Sequence, residues 1–362
     1  MSELETKLSK LYDLLDQHNL DALFLHRVSS FAWATCGAAS YINTAVATGE
    51  ASLLITKNAR YLITNNIEAP HYEKEEKLKE QGWEFVVGGW YEPSEALGKL
   101  TKGLRMGADV PLEGAKDLSG EVAVLRMNLL PEEVARFREV SKLSAQAMNA
   151  AVRAAKPGMS EYEIAAVLAA EAYRRQLLPI VNLIATDERI FGFRHPLPTA
   201  KKMEKYAMLV LCGRKYGLVS SVTRLIHYGP LSDELKRKQE AVTQVDAQVI
   251  AATRPGKTLA QMFGEIQQAY AGAGFDGEWK LHHQGGPAGY EPREFVANPQ
   301  VTAKVDVGQA YAWNPSITGV KTEDTVLITE SGFEVMTEIP NWPVREVEVG
   351  GKKIRRPLIL EV

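Results

Sequence analysis

Three stretches of the sequence combine residue types that can do acid–base chemistry. They are HPLPT at 195–199, HHQGGPAGYEPRE at 282–294 and GVKTEDTVLITESG at 319–332. Imidazole titrates near neutral pH, so a histidine such as His195 can pass a proton from water to a leaving nitrogen. A buried carboxylate such as Glu323 requires a cationic partner. These three stretches carry most of the chemical information in the sequence.

A fourth stretch, LVLCGRKYGLVSSVTR at 209–224, predicts two strands joined by a turn at 214–217 and contains no carboxylate. Ser220 and Ser221 have no neighbouring base and acid of the triad type, so we do not expect a serine nucleophile. Cys212 lies in an apolar strand and is expected to be a buried thiol rather than a nucleophile. The hairpin is predicted to support the fold and close one wall of the site.

The first part of the chain alternates helix and strand patterns over about 125 residues. This alternation favours an α/β domain with a mixed or parallel sheet. We expect a helix over 3–18, a hairpin turn at 57–60 and a charged helix over 68–81. A break in the pattern falls near 125–131, and we assign residues 1–127 to the N-terminal domain.

The second part contains an internal repeat. AAKPGMSEYEIAAVLAAEAYRRQL resembles ATRPGKTLAQMFGEIQQAYAGAGF, and each copy places a Pro-Gly pair between two helical patterns. Strand-rich sequence follows the copies at 179–226 and 278–330. The repeat predicts a duplicated helix–sheet unit with its site between the two halves. We assign residues 128–340 to this domain and residues 341–362 to a C-terminal tail.

With these motifs in order around the repeat, residues 130–338 resemble the pita-bread fold of the creatinase, prolidase, aminopeptidase P and methionine aminopeptidase superfamily. GVKTEDTVLITESG resembles the family's Gly-Val-Arg-x-Glu-Asp-x-Val-Leu-Val-Thr hairpin, HPLPT its His-x-x-Pro-Thr, and HHQGGPAGYE its Gly-His-Gly-x-Gly-x-x-x-His-Glu loop. Residues 1–125 resemble the N-terminal domain of creatinases, prolidases and aminopeptidases P. The resemblance implies an α/β creatinase-like domain followed by an α+β pita-bread domain, in a homodimer.

The peptidases of this superfamily hold two metal ions with two Asp, one His and two Glu, and the metals activate a water. The resemblance places Leu211 and Ser221 at the aspartate positions and Asn314 at the first glutamate position. Only His283 and Glu323 match the ligand pattern. Hard divalent ions need several anionic oxygens, which Leu, Ser and Asn do not supply. We therefore expect no metal and no other cofactor.

Creatinase implies a route without metal. In that enzyme the histidine of the His-x-x-Pro motif acts as base and acid, and a glutamate at the last ligand position binds the cationic substrate. His195 and Glu323 occupy these positions. The resemblance therefore favours a metal-independent hydrolase or lyase that acts on a C–N bond of a small nitrogenous molecule.

Two alternatives stay open. The first is an Xaa-Pro dipeptidase or aminopeptidase P-type metallopeptidase with a degenerate site, in which one ion uses His283, Glu323 and a further histidine such as His195 or His282. The second is a non-catalytic protein that binds a small molecule, peptide or protein, as family members in histone chaperones do.

The candidate catalytic residues are His195, Glu323, His283 and Tyr290, and the candidate substrate-binding residues are Asn314, Ser221, Arg224, Lys321 and Arg27. Tyr290 matches the family's second histidine, and a phenol can donate a hydrogen bond to an oxyanion. Arg27 lies in a region that reaches the partner's site in creatinase-like dimers. Alternatively, Glu323 pairs with Lys321 or Arg224 inside the sheet, and His282 is a packing or surface residue.

The composition of the chain limits the classes of molecule that it is expected to bind. With 362 residues, a net charge of −3 and pI ≈ 6.2, the chain has no electrostatic case for binding nucleic acid or an anionic membrane. The first helix does not resemble a signal peptide, and no apolar run reaches the roughly 18 residues of a membrane span. Cys36 and Cys212 are expected to be buried thiols, and KKIRRP a solvated run. We expect a cytoplasmic protein that acts on a small molecule or short peptide.

Overall fold

The computed structural model describes residues 1–92 and 95–362, which form two compact units, Met1–Arg126 and Met127–Val362. The elements of the first unit are α1 (Glu3–Gln17), β1 (Ala22–Arg27), α2 (Val28–Ala34), β2 (Thr48–Thr56), β3 (Arg60–Asn65), α3 (Ala69–Lys74), β4 (Glu84–Gly88), α4 (Ala96–Leu100), β5 (Met106–Ala108) and β6 (Ala115–Asp117). Helix α5 (Ser119–Met127) ends at the boundary between the units.

The strands of the first unit form one mixed sheet in the order β4-β3-β2-β1-β5-β6. Strand β2 pairs antiparallel with β1 and β3, whereas the β3–β4, β1–β5 and β5–β6 pairs are parallel. The hairpin turn predicted at 57–60 joins β2 to β3. The helix predicted over 68–81 is shorter than expected. Helix α3 ends at Lys74, and Lys77 then takes a left-handed φ of 53°, which a continuing helix does not allow.

The second unit contains more strands than helices. Its elements are α6 (Pro131–Ala154), α7 (Glu161–Tyr173), β7 (Leu178–Thr186), α8 (Glu188–Gly192), β8 (Tyr206–Lys215), β9 (Leu218–His227), α9 (Asp233–Ala252), α10 (Leu259–Gly272), a 3-10 helix (Glu278–Leu281), β10 (Gly285–Ala288), β11 (Ala310–Trp313), β12 (Ser316–Ile317), β13 (Val320–Lys321), β14 (Asp324–Thr329), β15 (Gly332–Val335), β16 (Val344–Val349), β17 (Lys352–Pro357) and β18 (Leu360–Glu361).

The predicted duplication is present in this unit. Helices α6 and α7 precede strands β7, β8 and β9, and helices α9 and α10 precede strands β10, β11, β14 and β15. The second helix of each pair begins at a hydroxyl N-cap, Ser160 for α7 and Thr258 for α10. In both copies the glycine of the Pro-Gly pair adopts a positive φ, 91° at Gly158 and 92° at Gly256. Equivalent local chemistry therefore ends the first helix and begins the second in each half.

Each half contributes one four-stranded sheet, and the two sheets meet near the site. The first has the order β18-β9-β8-β7 and the second the order β10-β11-β14-β15. An isolated antiparallel bridge between Thr223 and Glu323 links β9 to the residue before β14. The predicted hairpin is β8–β9, and its turn residues Tyr216 and Gly217 have φ of 55° and 74°. Positive φ at both positions is typical of the two-residue turns that match strand twist.

The C-terminal segment is part of the second unit, and its prediction as a tail is wrong. Strands β16 and β17 form a hairpin, and β18 pairs in parallel with β9. KKIRRP forms β17, in which alternate side chains point to opposite faces. Ile354 and Arg356 are therefore buried while Lys353 and Arg355 are exposed. Because this run is rich in cationic residues, its composition did not indicate a strand with one buried face.

The main core of the second unit lies between its helices and its sheets. Buried side chains of this core include Val245, Tyr270, Tyr311, Trp313 and Val326. Both cysteines are free thiols; Cys212 is buried as predicted, whereas Cys36 is partly exposed. Within the described residues, every helix is too short or too polar to cross a bilayer.

Candidate functional site

Three histidines meet where the loop after α8 approaches the segment before β10. The Nε2 atoms of His195 and His282 are 3.0 Å apart. The rings of His282 and His283 stack with centroids 4.5 Å apart, and those of His195 and His283 are 5.4 Å apart. One ring nitrogen from each residue lies within 4.8 Å of the other two. We call these three residues the histidine cluster.

The loop that carries His195 is fixed by its neighbour Arg194. The Arg194 guanidinium donates to Glu278 Oε2 at 2.9 Å and to Thr318 Oγ1 at 3.0 Å. Glu278 in turn accepts a hydrogen bond from the Thr318 backbone amide at 2.9 Å. This small network joins the loop that carries His195 to the 3-10 helix and to the turn between β12 and β13.

The backbone around His282 is held by an amide side chain. Gln284 Nε2 donates to the carbonyl of His282 at 2.6 Å and to that of Trp279 at 3.2 Å. The other end of the amide, Gln284 Oε1, accepts from the buried Tyr270 hydroxyl at 2.8 Å. His282 and His283 are thereby presented from a fixed turn rather than from a free loop.

Burial keeps the imidazoles of the cluster neutral near pH 7. His282 is 8% exposed, and burial lowers its pKa to about 2. Burial also lowers the pKa of His283 to about 4, with the charge of Arg293 acting in the same direction. The pKa of His195 is lowered by burial and by the Lys321 ammonium. A neutral imidazole keeps one ring nitrogen with a lone pair, which can accept a proton or bind a metal ion.

Beside the histidines lies a buried carboxylate with two cations, which we call the Glu323 cluster (Glu323, Lys321, Arg293 and Thr223). Arg293 Nη2 lies 2.7 Å from Glu323 Oε1, and Lys321 Nζ lies 3.3 Å from Oε2. Thr223 Oγ1 also donates to Oε2, at 2.6 Å. Burial alone would raise the pKa of Glu323, but the charges of Lys321 and Arg293 outweigh it and lower that pKa to about 2. Glu323 is therefore ionised.

The residues at the family's ligand positions do not fit a two-metal cluster. Leu211 is fully buried and apolar. The guanidinium of Arg293 donates to Ser221 Oγ at 3.0 Å and also binds Glu323, so a protein cation joins two of the ligand positions. Within the described residues the buried Asn314 Oδ1 has no hydrogen-bond partner. A carboxylate already neutralised by two cations cannot also offset two metal ions.

Two other predicted residues are used elsewhere in this unit. The Tyr290 hydroxyl donates to Glu133 Oε1 at 2.6 Å, and the Tyr290 side chain is fully buried. Arg224 binds Asp324, with Nη2 2.7 Å from Oδ1, rather than the Glu323 carboxylate. Of the two cations expected to pair with Glu323 inside the sheet, the structure therefore selects Lys321.

Arg27 lies in the first unit, at the end of β1. Its Nε donates to the carbonyl of Asp109 at 3.0 Å, and its backbone amide donates to Asp109 Oδ2 at 3.2 Å. These bonds tie the end of β1 to the residue that follows β5. A role for Arg27 in substrate binding stays a prediction.

The sequence analysis missed Glu161, the first residue of α7. Its side chain is fully buried and accepts hydrogen bonds from the backbone amides of Thr186 at 2.8 Å and Thr199 at 2.9 Å. It also forms an ion pair with Arg189. Glu161 thus fixes both ends of the segment that carries His195. Only its place in the first turn of a helix, next to an N-cap serine, was visible in the sequence.

Arg293 was not among the candidate site residues, and His282 was expected to be a packing or surface residue. Arg293 follows His283 in the same glycine-rich loop, but nothing in the local sequence indicates that its guanidinium reaches Glu323. His282 is neither a surface residue nor an isolated core residue, because its ring contacts both other histidines of the cluster. Adjacent histidines in a loop were the one available signal.

Comparison with known proteins places the chain in a family. A model of metallopeptidase family M24 matches residues 135–330, which is more than half of the chain. The chain therefore belongs to metallopeptidase family M24, a family of hydrolases. The predicted membership of the creatinase, prolidase and aminopeptidase P superfamily is confirmed.

Two relatives and one solved structure are distant in sequence but cover nearly the whole chain. The uncharacterized peptidase YqhT of Bacillus subtilis is 23% identical over 92% of this chain and 98% of its own length. The Xaa-Pro dipeptidase of Pyrococcus horikoshii is 22% identical over 93% of this chain and 98% of its own length. The crystal structure of the prolidase from Pyrococcus horikoshii OT3 superposes with a TM-score of 0.78 at 19% identity, covering 92% of this chain and 98% of that one.

The structural likeness confirms the predicted fold, an α/β N-terminal domain followed by a pita-bread domain. At this identity it shows the fold alone. The relatives' names agree better with the peptidase alternative than with the metal-independent, creatinase-like hydrolase, which the comparisons do not confirm. The ligand positions, in contrast, are occupied by residues that do not suit the two-metal chemistry of such peptidases.

Proposed function

We propose that this protein hydrolyses an amide bond of a short peptide or a similar small molecule, with the histidine cluster and the Glu323 cluster as its centre. The substrate class follows the relatives, which include an uncharacterized peptidase and an Xaa-Pro dipeptidase. The observation that carries the proposal is the position of a neutral, accessible His195 beside a buried group with surplus positive charge. These are a proton acceptor and an electrophilic environment, the two requirements of amide hydrolysis.

The reaction needs three events at these groups. The neutral His195 ring accepts a proton from water as the water oxygen attacks the amide carbon. Lys321 and Arg293 carry one positive charge more than Glu323 neutralises, and this charge stabilises the oxyanion that forms on the carbonyl oxygen. The C–N bond then breaks, and protonated His195 returns its proton to the leaving nitrogen. No step passes through the family's two-metal cluster.

The test is hydrolysis by chelator-treated protein. Dipeptides such as Ala-Pro, together with small amide, amidino and guanidino compounds, would be incubated with the enzyme and the products separated by chromatography. We expect hydrolysis of at least one compound without added metal, and loss of about 100-fold or more of the activity in His195→Ala. His71→Ala, which changes a histidine of the first unit, is the matched control and should keep full activity.

Two results would contradict this mechanism. Hydrolysis that requires added Mn²⁺ or Co²⁺ would restore the metal-dependent peptidase mechanism. Equal activity of His195→Ala and the unchanged protein would exclude His195 as the base.

A second candidate is a binding protein without hydrolase activity. One observation favours it: Glu323 is already bonded by Arg293, Lys321 and Thr223, so this carboxylate has little capacity left for substrate or water. Isothermal titration with the same dipeptides distinguishes the two functions. Saturable binding with no product after long incubation would support the binding protein and exclude the hydrolase on that substrate.

A further inference from the structure

We propose that the histidine cluster is a binding site for a single transition-metal ion of the Zn²⁺ type, held by one ring nitrogen each of His195, His282 and His283. This site is separate from the ligand set of the family, of which it shares only His283. It goes beyond the proposed hydrolysis, which uses His195 without metal.

The geometry of the three rings is close to that of a three-histidine site. Zn²⁺ binds imidazole nitrogen at about 2.0–2.1 Å in tetrahedral geometry, which places ligand nitrogens about 3.3 Å apart. Here the two Nε2 atoms of His195 and His282 are 3.0 Å apart, and one ring nitrogen of each of the three residues lies within 4.8 Å of the other two. Small ring rotations would direct all three nitrogens at one ion. The fourth coordination position of that ion would be left for a small ligand.

Unsatisfied atoms in the cluster give a second, independent reason. Within residues 1–92 and 95–362, neither His282 Nδ1 nor His283 Nδ1 has a hydrogen-bond partner, although both atoms are buried. His282 is more than nine-tenths buried, so its unpaired nitrogen is costly. Two neutral rings that face each other through Nε2 at 3.0 Å also share one proton at most. A metal ion would accept the lone pairs of both Nε2 atoms, and His283 Nδ1, which has no partner among the described residues, can supply the third ligand.

The donor set selects the kind of ion. Neutral imidazole suits Zn²⁺, Cu²⁺, Ni²⁺ and Co²⁺, whereas Mg²⁺, Ca²⁺ and Mn²⁺ prefer carboxylate and carbonyl oxygen. Glu323, whose charge acts on all three imidazoles, is engaged by Arg293 and Lys321. The site should therefore discriminate against the hard cations.

The neighbouring cations oppose metal binding, and this repulsion gives a way to test where the ion binds. Lys321 is close enough to lower the pKa of all three imidazoles, so its charge also repels a bound divalent ion. Glu323 offsets part of this repulsion. Removal of the Lys321 charge should therefore tighten metal binding, an effect that no unrelated surface site would show.

The experiment uses the full-length protein freed of metal by chelator and titrated with Co²⁺. We expect one ion per chain, the strong visible absorption of four-coordinate Co²⁺, and its displacement by one equivalent of Zn²⁺. His195→Ala should weaken binding by ~10-fold or more, since even outer-shell changes at metal sites cost about this much. Lys321→Met should strengthen binding, and His71→Ala should leave it unchanged.

His195 lies on an exposed loop, so its replacement is compatible with folding even if changes at buried His282 are not. Binding that His195→Ala leaves intact, or that His71→Ala abolishes, would overturn the proposal. The result is also independent of the proposed hydrolysis. Hydrolysis is measured on the chelator-treated protein and metal binding by the Co²⁺ titration. Metal binding without hydrolysis by the metal-free protein would therefore reject only the function, and hydrolysis without metal binding would reject only the metal site.

Discussion

Two neighbouring residues, Glu323 and Asp324, are both buried but belong to different ionic groups. Glu323 is 2% exposed and Asp324 is 3% exposed. Successive side chains of an extended chain point to opposite faces, so the two carboxylates face different surroundings. The Glu323 cluster contains one carboxylate and two cations. The Asp324 network, as we call the second group, consists of Asp324, Asp246, Arg224 and Arg356.

The Asp324 network is balanced in charge. Arg356 Nη2 lies 2.6 Å from Asp246 and 2.7 Å from Asp324, and Arg224 Nη2 lies 2.7 Å from the other oxygen of Asp324. Burial opposes the charge on Arg356, but the two carboxylates outweigh burial and raise its pKa. Two cations thus meet two anions, and the C-terminal hairpin is joined to β9, α9 and β14.

The difference in charge balance indicates a structural role for the Asp324 network and a chemical role for the Glu323 cluster. A balanced buried group leaves no charge to act on a ligand, and breaking it exposes an unpaired ion to a low-dielectric interior. A group with surplus positive charge beside neutral imidazoles can act on an electron pair of a substrate. Burial and ion pairing alone would have ranked the two carboxylates equally; the count of charges distinguishes them.

The largest effect is expected on the balanced side. Arg356→Met removes the cation that Asp246 and Asp324 share, leaving one of these buried carboxylates without compensation. We expect a loss of about 3–5 kcal/mol in the free energy of unfolding, measured by urea denaturation. Arg355→Met, on the exposed face of the same strand, should cost at most about 1 kcal/mol. Similar losses in both variants would show that the Asp324 network is not special.

A carboxylate with a single cation should give an intermediate effect. Glu161→Gln keeps the shape of the side chain but weakens the bonds to Arg189, Thr186 and Thr199, and we expect a loss of about 2 kcal/mol. Burial raises the pKa of Glu161, but the bonds from Arg189 and the threonines outweigh burial and lower it below the ordinary value of 4.5.

The pH dependence of this variant follows from that shift. A carboxyl group whose pKa is lower in the folded protein stabilises the fold above its unfolded pKa, and this contribution is lost as pH falls through the folded pKa. The difference in unfolding free energy between the unchanged protein and Glu161→Gln should therefore be constant above about pH 5 and shrink below pH 4.5. A difference that grows on acidification would contradict the assignment of Glu161 as an ionised anchor.

The smallest effect on stability is expected where a surplus cation is removed. Lys321→Met leaves Glu323 bound by Arg293 and Thr223. The cluster then has one cation and one carboxylate, so its surplus positive charge is removed. We expect a change within about 1 kcal/mol, in either direction, by the same urea titration. Lys321→Met and Arg356→Met remove the same charge from two buried sites, so equal losses would refute charge balance as the reason for the contrast.

Local features of the fold were predictable. The Pro-Gly repeat identified α6, α7, α9 and α10 because helix ends depend on residues close in sequence. The β8–β9 hairpin was visible because its turn needs Gly217 at a left-handed φ. The C-terminal strands were missed because a cationic run gives no sign of a buried face until a partner sheet exists.

The functional site, like the fold, could be predicted from the sequence only in part. Motif positions identified His195, His283 and Glu323 as candidates, and the structure brings all three into neighbouring clusters. Tyr290 and Arg224 were also candidates from the sequence but are bonded to Glu133 and Asp324. Side chains on one strand or loop can point to opposite faces, and the motif does not specify which face each side chain takes.

The sequence by itself determined what this protein lacks: Leu211, Ser221 and Asn314 have no carboxylate, whatever the fold does with them. It also determined the duplicated helix–sheet plan, since the signals for helix ends and turns are local. Only the tertiary structure decided what replaces the missing acids. The contact between His195 and His282 and the pairing of Arg293 with Glu323 join residues far apart in the chain. Such contacts depend on how two sheets and a loop pack, and no local pattern encodes that packing.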